Sequence, residues 1–514
     1  MNFDESFSYR MAEFGFGEIW TRTANDTHPP LYYWLLQMWQ GVFGTSILSA
    51  RSLSVVLGTG TVATMYLFVA EVCRGETRVE GSFDSPSKTH GNGGFFGAVW
   101  SRISAIRADS DYAAGLAAFF VCFSPMQSLW SARVRMYSLA AFLAVLLSWL
   151  FVRTLRKPLP VATDWIPCSI AAICLLYTHN YGLFTIVAMY VYAVGHAFLT
   201  NRNDDRKARF ERVWPVLVSA FVVYQVWSPW LLVVLEQRVR VTQSFWSRPL
   251  EWSVFGAAFT PQFLTELGDI DRGVAGQLLL QAIVVVQIIL VLGRRKFDLY
   301  LALAVIIPIL AAVVVSLTMR NIISDRYFVM FNLFALASLA ILISRIRWPV
   351  IRHFVAIAII SGMLFQYSHF IARRNVVAAK QGMAEAVAFF DKLQRSAEPL
   401  VVGDPMLHVR ARVYSSAPDT IRTFGNGSRY PFYVGTAVMS PSDYLDREAI
   451  SEIPFDWVWT LERGQRSAIV KPGNGWKMIA EKQFQDFSVI VLRLYARENS
   501  RTVLELKGSA AVSS

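Results

Sequence analysis

Residues 278–292 read LLLQAIVVVQIILVL and residues 302–317 read ALAVIIPILAAVVVSL, and neither run holds a charge. A ~30 Å hydrocarbon layer asks for about 20 such residues in a helix. Working outward, the same pattern recurs at about 48–73, 112–130, 134–153, 163–178, 181–200, 213–236, 275–293, 298–318, 327–345 and 348–369. Clusters such as Lys157-Pro158-Leu159-Pro160 and Arg345-Ile346-Arg347-Trp348-Pro349 punctuate these stretches. Ten helices of this kind make an all-α polytopic membrane protein. The chain as a whole has 514 residues, 54% hydrophobic and 17% charged, with a mean hydropathy of +0.38. A soluble protein carries about a quarter charged residues, so the deficit agrees with the runs.

The net charge of +12 is no nucleic-acid signature once it is mapped. One set of alternate loops, with Arg74 to Arg107, Arg153 to Lys157, Arg202 to Arg212, Arg294 to Lys296 and Arg345 to Arg352, holds nineteen Lys and Arg. The opposite set holds seven: Arg133, Arg238, Arg240, Arg248, Arg272, Arg320 and Arg326. Basic loops stay cytoplasmic. Residues 1–47, the loop 237–274 and the tail after 370 are therefore expected outside. That places the N-terminal segment outside with no helix before it, and predicts a first helix missing from this chain. No nucleic-acid partner is expected; the partner is the bilayer.

Three regions follow: 1–47, an external segment of catalytic type with an interfacial helix; 48–370, the multi-pass domain; and 371–514, a small external α/β domain. In the first, Leu31 to Phe43 sets Tyr32, Leu35, Leu36, Trp39 and Phe43 at helical spacing, which suits an amphipathic helix in the membrane interface. Pro29 and Pro30 are placed to open it. The stretch 75–111 is Gly/Ser-rich and polar and reads as a flexible cytoplasmic loop. In the tail, a helical stretch at Met383 to Leu393 precedes short apolar runs at Leu400-Val401-Val402, Trp457-Val458-Trp459 and Ser488 to Leu494. The four cysteines lie in or beside apolar segments without ligand spacing and read as core residues.

Ionisable groups at the membrane edge are functional candidates because burying them is costly. They are Arg51, Arg133 and Arg135 beside Tyr137, His179 in Tyr177-Thr178-His179-Asn180-Tyr181, and Asp325-Arg326-Tyr327. Taken singly, a snorkelling arginine, a turn histidine or a local ion pair explains each. Together they lie on the external side, with Asp4-Glu5 and Asp26-Thr27-His28. Carboxylates can take a proton from a hydroxyl, and guanidiniums grip phosphate oxygens. Asp26, His28 and His179 form a candidate set for a divalent metal, although Asp-Thr-His-Pro is no metal motif by itself. The inventory suits chemistry on a lipid-linked phosphate at the outer leaflet.

The order Asp4-Glu5, Asp26-Thr-His28-Pro-Pro-Leu-Tyr32-Tyr-Trp34, Ala50-Arg51-Ser-Leu-Ser54, Arg135-Met-Tyr137, Tyr177-Thr-His179-Asn-Tyr181, Pro229-Trp230 and Asp325-Arg326-Tyr327 resembles the C-type (GT-C) membrane glycosyltransferases. It is most similar to the bacterial branch of protein O-mannosyltransferases and lipid A aminoarabinose transferases. The resemblance runs over about residues 1–370. It implies transfer of a sugar from a polyprenyl-phosphate donor to an envelope acceptor (glycolipid, polysaccharide or protein) at the external face of the bacterial inner membrane. It makes Asp4 the base or acceptor-orienting carboxylate, with Glu5 supporting it. Arg326 neutralises the donor phosphate with Arg135, and Arg51 joins them. Asp26, His28, Tyr32 and His179 belong to the acceptor and donor loops. Relatives commonly carry Gln-Glu where Ala132-Arg133 stand here, a reversal of charge that implies an altered donor site or loss of activity. The rival readings are a transporter or flippase of an amphipathic anion, and a non-catalytic envelope scaffold. The chain shows no internal repeat of the kind transporters favour.

Overall fold

The computed structural model describes residues 1–74, 110–199, 206–243, 249–265, 271–293, 295–394, 398–425, 430–464 and 472–498, with 247 and 470. The expected loop 75–111 lies almost wholly outside the described residues. The chain divides into two units, one made of Met1–Ala50 with the chain from Ile371 onward, the other of most of Arg51 to Phe370. The first and last parts of the chain thus fall in one unit.

The larger unit is helical. It begins within α4 (Ile47–Cys73), preceded in the chain by α1 (Phe3–Met11), α2 (Phe16–Ala24) and α3 (Leu31–Phe43). Then come α5 (Ser110–Cys122), α6 (Pro125–Ser131), α7 (Tyr137–Leu155), α8 (Ile166–Leu176), α9 (Gly182–Leu199) and α10 (Arg206–Gln243). They are followed by α11 (Trp252–Phe263), α12 (Arg272–Leu292), α13 (Asp298–Thr318), α14 (Val329–Ser344) and α15 (Pro349–Ala378). All ten expected segments are helical, but only eight helices among the described residues are long and apolar enough to cross a membrane. The 112–130 segment is two helices, α5 and α6, bent by 61°. The break has a local cause: the Ser124 hydroxyl accepts from Gln127 N at 3.4 Å, and Pro125 opens a new helix. The 163–178 segment is a shorter apolar helical stretch, 162–176. Outward Leu278, Val285, Ile288 and Leu292 on α12 stay exposed, as a lipid-facing surface should. The stretch Asp325–Ser344, which includes α14, is the opposite: most of it is buried inside the protein.

The expected loop 237–274 contains a further helix, α11. It packs on α12 backbone to backbone, since a Cβ on Gly256 would stand 2.3 Å from Gly273 Cα, and one on Gly276 2.4 Å from Gly256 Cα. Small residues allow this approach in apolar surroundings.

The smaller unit holds a six-stranded sheet in the order β3-β2-β1-β4-β6-β5. Its strands are β1 (Leu400–Val402), β2 (Ile421–Phe424), β3 (Tyr444–Leu445), β4 (Trp457–Arg463), β5 (Trp476–Phe484) and β6 (Ile490–Arg497). The first four are parallel neighbours, while β6 runs antiparallel to β4 and β5. Helices α16 (Gly382–Leu393) and α17 (Pro405–Tyr414) give Phe390, Leu407 and Ala411 to a core with Leu400, Leu461 and Leu492. The N-terminal helices join this unit. Arg22 donates to Ala437 O at 2.7 Å and Met439 O at 3.2 Å. Gly435, at φ 98°, turns the chain where a Cβ would meet the Phe3 ring at 3.0 Å.

Candidate functional site

In the larger unit, three separated pieces of sequence meet. The turn after α6 carries Arg133 and Arg135, the α8–α9 hairpin carries His179 and Tyr181, and a 3₁₀ turn at Asp325–Phe328 carries Arg326 and Tyr327. Ring centroids lie 5.4 Å apart for Tyr137 and His179, 5.7 Å for His179 and Tyr327, and 4.9 Å, stacked, for Tyr181 and Tyr327. Trp130 packs on Tyr137 at 4.2 Å. Arg135 lies 5.9 Å from the Tyr137 ring and Arg326 5.8 Å from the Tyr327 ring, distances typical of cation–π contact.

Hydrogen bonds from Tyr181 help to order the hairpin. The Tyr181 N–H donates to His179 Nδ1 at 3.1 Å, which puts the proton of the neutral ring on Nε2. The Tyr181 hydroxyl donates to Ile322 O, on the approach to the Arg326 turn. Both His179 and Arg135 are buried, at 3% and 2% exposure. A guanidinium this buried calls for anionic or polar company. Arg133 is half-buried with its guanidinium 5.1 Å from the Trp130 ring. Arg51 is the fifth residue of α4, half-buried.

Sequence reading missed the amides beneath the Arg326 turn. Gln127 donates through Nε2 to Val329 O at 2.9 Å and to Asn332 Oδ1 at 3.0 Å. Asn332 Nδ2 donates to Gln262 O at 2.9 Å. Gln262 Nε2 donates to Asp325 O at 2.6 Å. Amides inside otherwise apolar helices are the signal that finds Gln127 and Asn332; Gln262 sits on a helix the sequence hid.

The remaining expected residues belong to the smaller unit. Asp4 and Glu5 lie in the first turn of α1. Glu5 is buried and closes a capping box: its N–H donates to Asn2 Oδ1 at 2.9 Å, and Asn2 N–H donates to Glu5 Oε2 at 3.2 Å. Asp26 and His28 pair with each other, Oδ2 to Nδ1, at 2.8 Å. Helix α3 forms as expected, but the face it buries is Tyr32, Tyr33, Leu36 and Gln40, while Phe43 is exposed. Among the described residues no group of three His, Cys, Asp or Glu is arranged to hold a metal. Of the set Asp26, His28 and His179, the first two pair with each other in the smaller unit, and in the larger unit the Nδ1 of His179 accepts from a backbone amide.

No protein-family model matches the chain, and no curated protein is similar to it in sequence. Solved structures do share its architecture. ArnT from Cupriavidus metallidurans in the apo state is 13% identical with a TM-score of 0.57, covering 95% of this chain and 93% of that one. The same protein bound to undecaprenyl phosphate is 13% identical with a TM-score of 0.56 over the same shares. The eight apolar helices, the small sheet and this likeness over nearly the full length of both chains identify a multi-pass membrane protein with the fold of ArnT.

Proposed function

We propose that this chain is a membrane glycosyltransferase that moves a sugar from a polyprenyl-phosphate donor to an envelope acceptor outside the bacterial inner membrane. The observation that carries the reading is the convergence of Arg135, His179, Tyr181 and Arg326 in a chain with the fold of ArnT. ArnT itself has been seen with undecaprenyl phosphate, and the same class of lipid is proposed here. Arg326 and Arg135 take the donor phosphate, with Arg51 adding positive potential. The acceptor hydroxyl attacks the anomeric carbon, the C1–O bond to phosphate breaks, and polyprenyl phosphate leaves with its charge held by the guanidiniums. Asp4 receives the hydroxyl proton. The anomeric centre inverts. Fixed cations at the leaving group make nucleotide activation unnecessary.

Arg133 fits this reading because its guanidinium is engaged by Trp130, so the charge reversal leaves Arg135 and Arg326 as the phosphate cations. The test is transfer from undecaprenyl-phosphate-linked sugars by the purified chain in nanodiscs, read as release of undecaprenyl phosphate. Arg326→Ala should weaken binding of undecaprenyl phosphate by about tenfold or more, the loss of one charge-assisted contact. Asp4→Asn should slow transfer by about a hundredfold or more with that binding unchanged. Unchanged lipid-phosphate binding in Arg326→Ala overturns the donor site. An unchanged rate in Asp4→Asn removes the base.

A further inference from the structure

Helix α11 touches the Arg326 turn twice. Its Phe259 ring lies 5.0 Å from that of Phe328, and its Gln262 amide holds the Asp325 carbonyl at 2.6 Å. Gln262 is fully buried, and its Oε1 has no hydrogen-bond partner among the described residues. Leaving a buried acceptor unpaired is unfavourable, so a leucine would serve simple packing better in these surroundings. The amide is committed to one direction, the backbone of the residue next to Arg326. Asn332 holds the same residue by donating to its main-chain carbonyl at 2.9 Å, and Gln127 orients Asn332.

We infer that Gln262 is a positioning residue: through the Asp325 carbonyl it sets where the Arg326 guanidinium stands for the lipid phosphate. This rests on the proposed role of Arg326 and extends it to a helix that carries none of the ionisable groups. A packing role and a positioning role separate in a double-mutant cycle. Packing loss weakens the protein whatever stands at 326; positioning loss matters only while the arginine is there.

The experiment measures the affinity of undecaprenyl phosphate for the full chain in nanodiscs, with melting followed in parallel. Gln262→Met keeps the length of the side chain and removes the donor. It should weaken binding about tenfold with Arg326 present and leave affinity unchanged in an Arg326→Ala background, with the same change in melting in both. Equal weakening in both backgrounds, or none in either, overturns the inference. If Arg326→Ala alone binds like the parent protein, the donor-site reading fails instead, which is a distinguishable result. Should Gln262→Met not fold, Gln262→Asn, which keeps the amide one methylene short of Asp325, carries the same test.

Discussion

Gly256→Ala adds one methyl group where α11 meets α12, and its consequence can be worked from distances. The new Cβ would stand 2.3 Å from Gly273 Cα, 2.9 Å from Arg272 O and 3.0 Å from Gly273 O. All of these are backbone atoms, which cannot rotate aside. Carbon atoms rest at about 3.5–4.0 Å, so the two helices must part by about 1 Å or more. Gln262 lies less than two turns further along α11, with its bond to Asp325 O at 2.6 Å. A displacement of that size carries the pair to about 3.6 Å, outside hydrogen-bonding range. Overpacking costs about 1–3 kcal/mol, and the lost bond about another 1 kcal/mol. Melting of the purified protein, followed by tryptophan fluorescence, reads the loss. The control is Gly195→Ala on α9, where a Cβ meets nothing within 4 Å and a helical alanine is favoured over glycine by about 1 kcal/mol. If Gly256→Ala melts with Gly195→Ala, at or above the parent, the close-packed reading of α11 and α12 is refuted.

Glu5→Ala should lower melting by about 1 kcal/mol through the lost capping box, whereas Glu5→Gln, which can still accept from Asn2, should not; equal melting of the two variants would contradict the cap. His408 on α17 is buried, and that burial, then Arg412, Arg10 and Arg422, push its imidazole down to about 3. Asp443 stands 3.8 Å away but is shared with Arg412 at 3.6 Å, so it does little to hold a proton on the ring. A free histidine titrates near ~6.5; the unfolded chain therefore binds the extra proton, and stability falls as pH drops from about 6.5 towards 3, by at most about 1.4 kcal/mol per unit. In His408→Gln that slope should flatten between pH 7 and 5; an unchanged slope assigns acid sensitivity elsewhere. Tyr181→Phe, which frees Ile322 O, should weaken undecaprenyl phosphate binding less than Arg326→Ala does. A loss as large as that of Arg326→Ala would mean the phenol contacts the lipid directly.

The apolar runs made the spanning helices legible because a hydrocarbon layer imposes one demand on every helix that crosses it. The two departures were also written locally, in Ser124-Pro125 and in the prolines before Ala162. Helix α11 was not legible. Its sequence, WSVFGAAFTPQF, is short and contains Pro261, and what buries it is a glycine contact with Gly273 and Gly276, visible only when α12 is beside it. Asn2-x-x-Glu5 does carry a capping signature, but an acidic pair invites a chemical reading first. The joining of residues 1–50 to the tail depends on contacts such as Arg22 with Ala437, 415 residues apart. No periodicity reports a contact at that range. The meeting of Tyr137, His179 and Tyr327 was half legible: charge asymmetry put their segments on one face, while their stacking needed the bundle.

The Arg326 turn shows why the amides and the phenol belong to one design. A 3₁₀ turn leading into a helix has backbone groups that its own ladder serves poorly, and among apolar helices water is scarce to serve them. Here side chains from other helices supply donors at Ile322, Asp325 and Val329: Tyr181 from the α8–α9 hairpin, Gln262 from α11 and Gln127 from α6. Each bond meets a solvation need that any donor could meet. Because the three come from three different elements of the bundle, together they also tie the turn to each of those elements. A guanidinium on a long flexible stem gains from this, since the backbone beneath it is the part that can be held still. Satisfying the backbone and placing the charge are thus the same act, and sequence features that looked unrelated, a hairpin phenol and amides on two helices, become one support for Arg326.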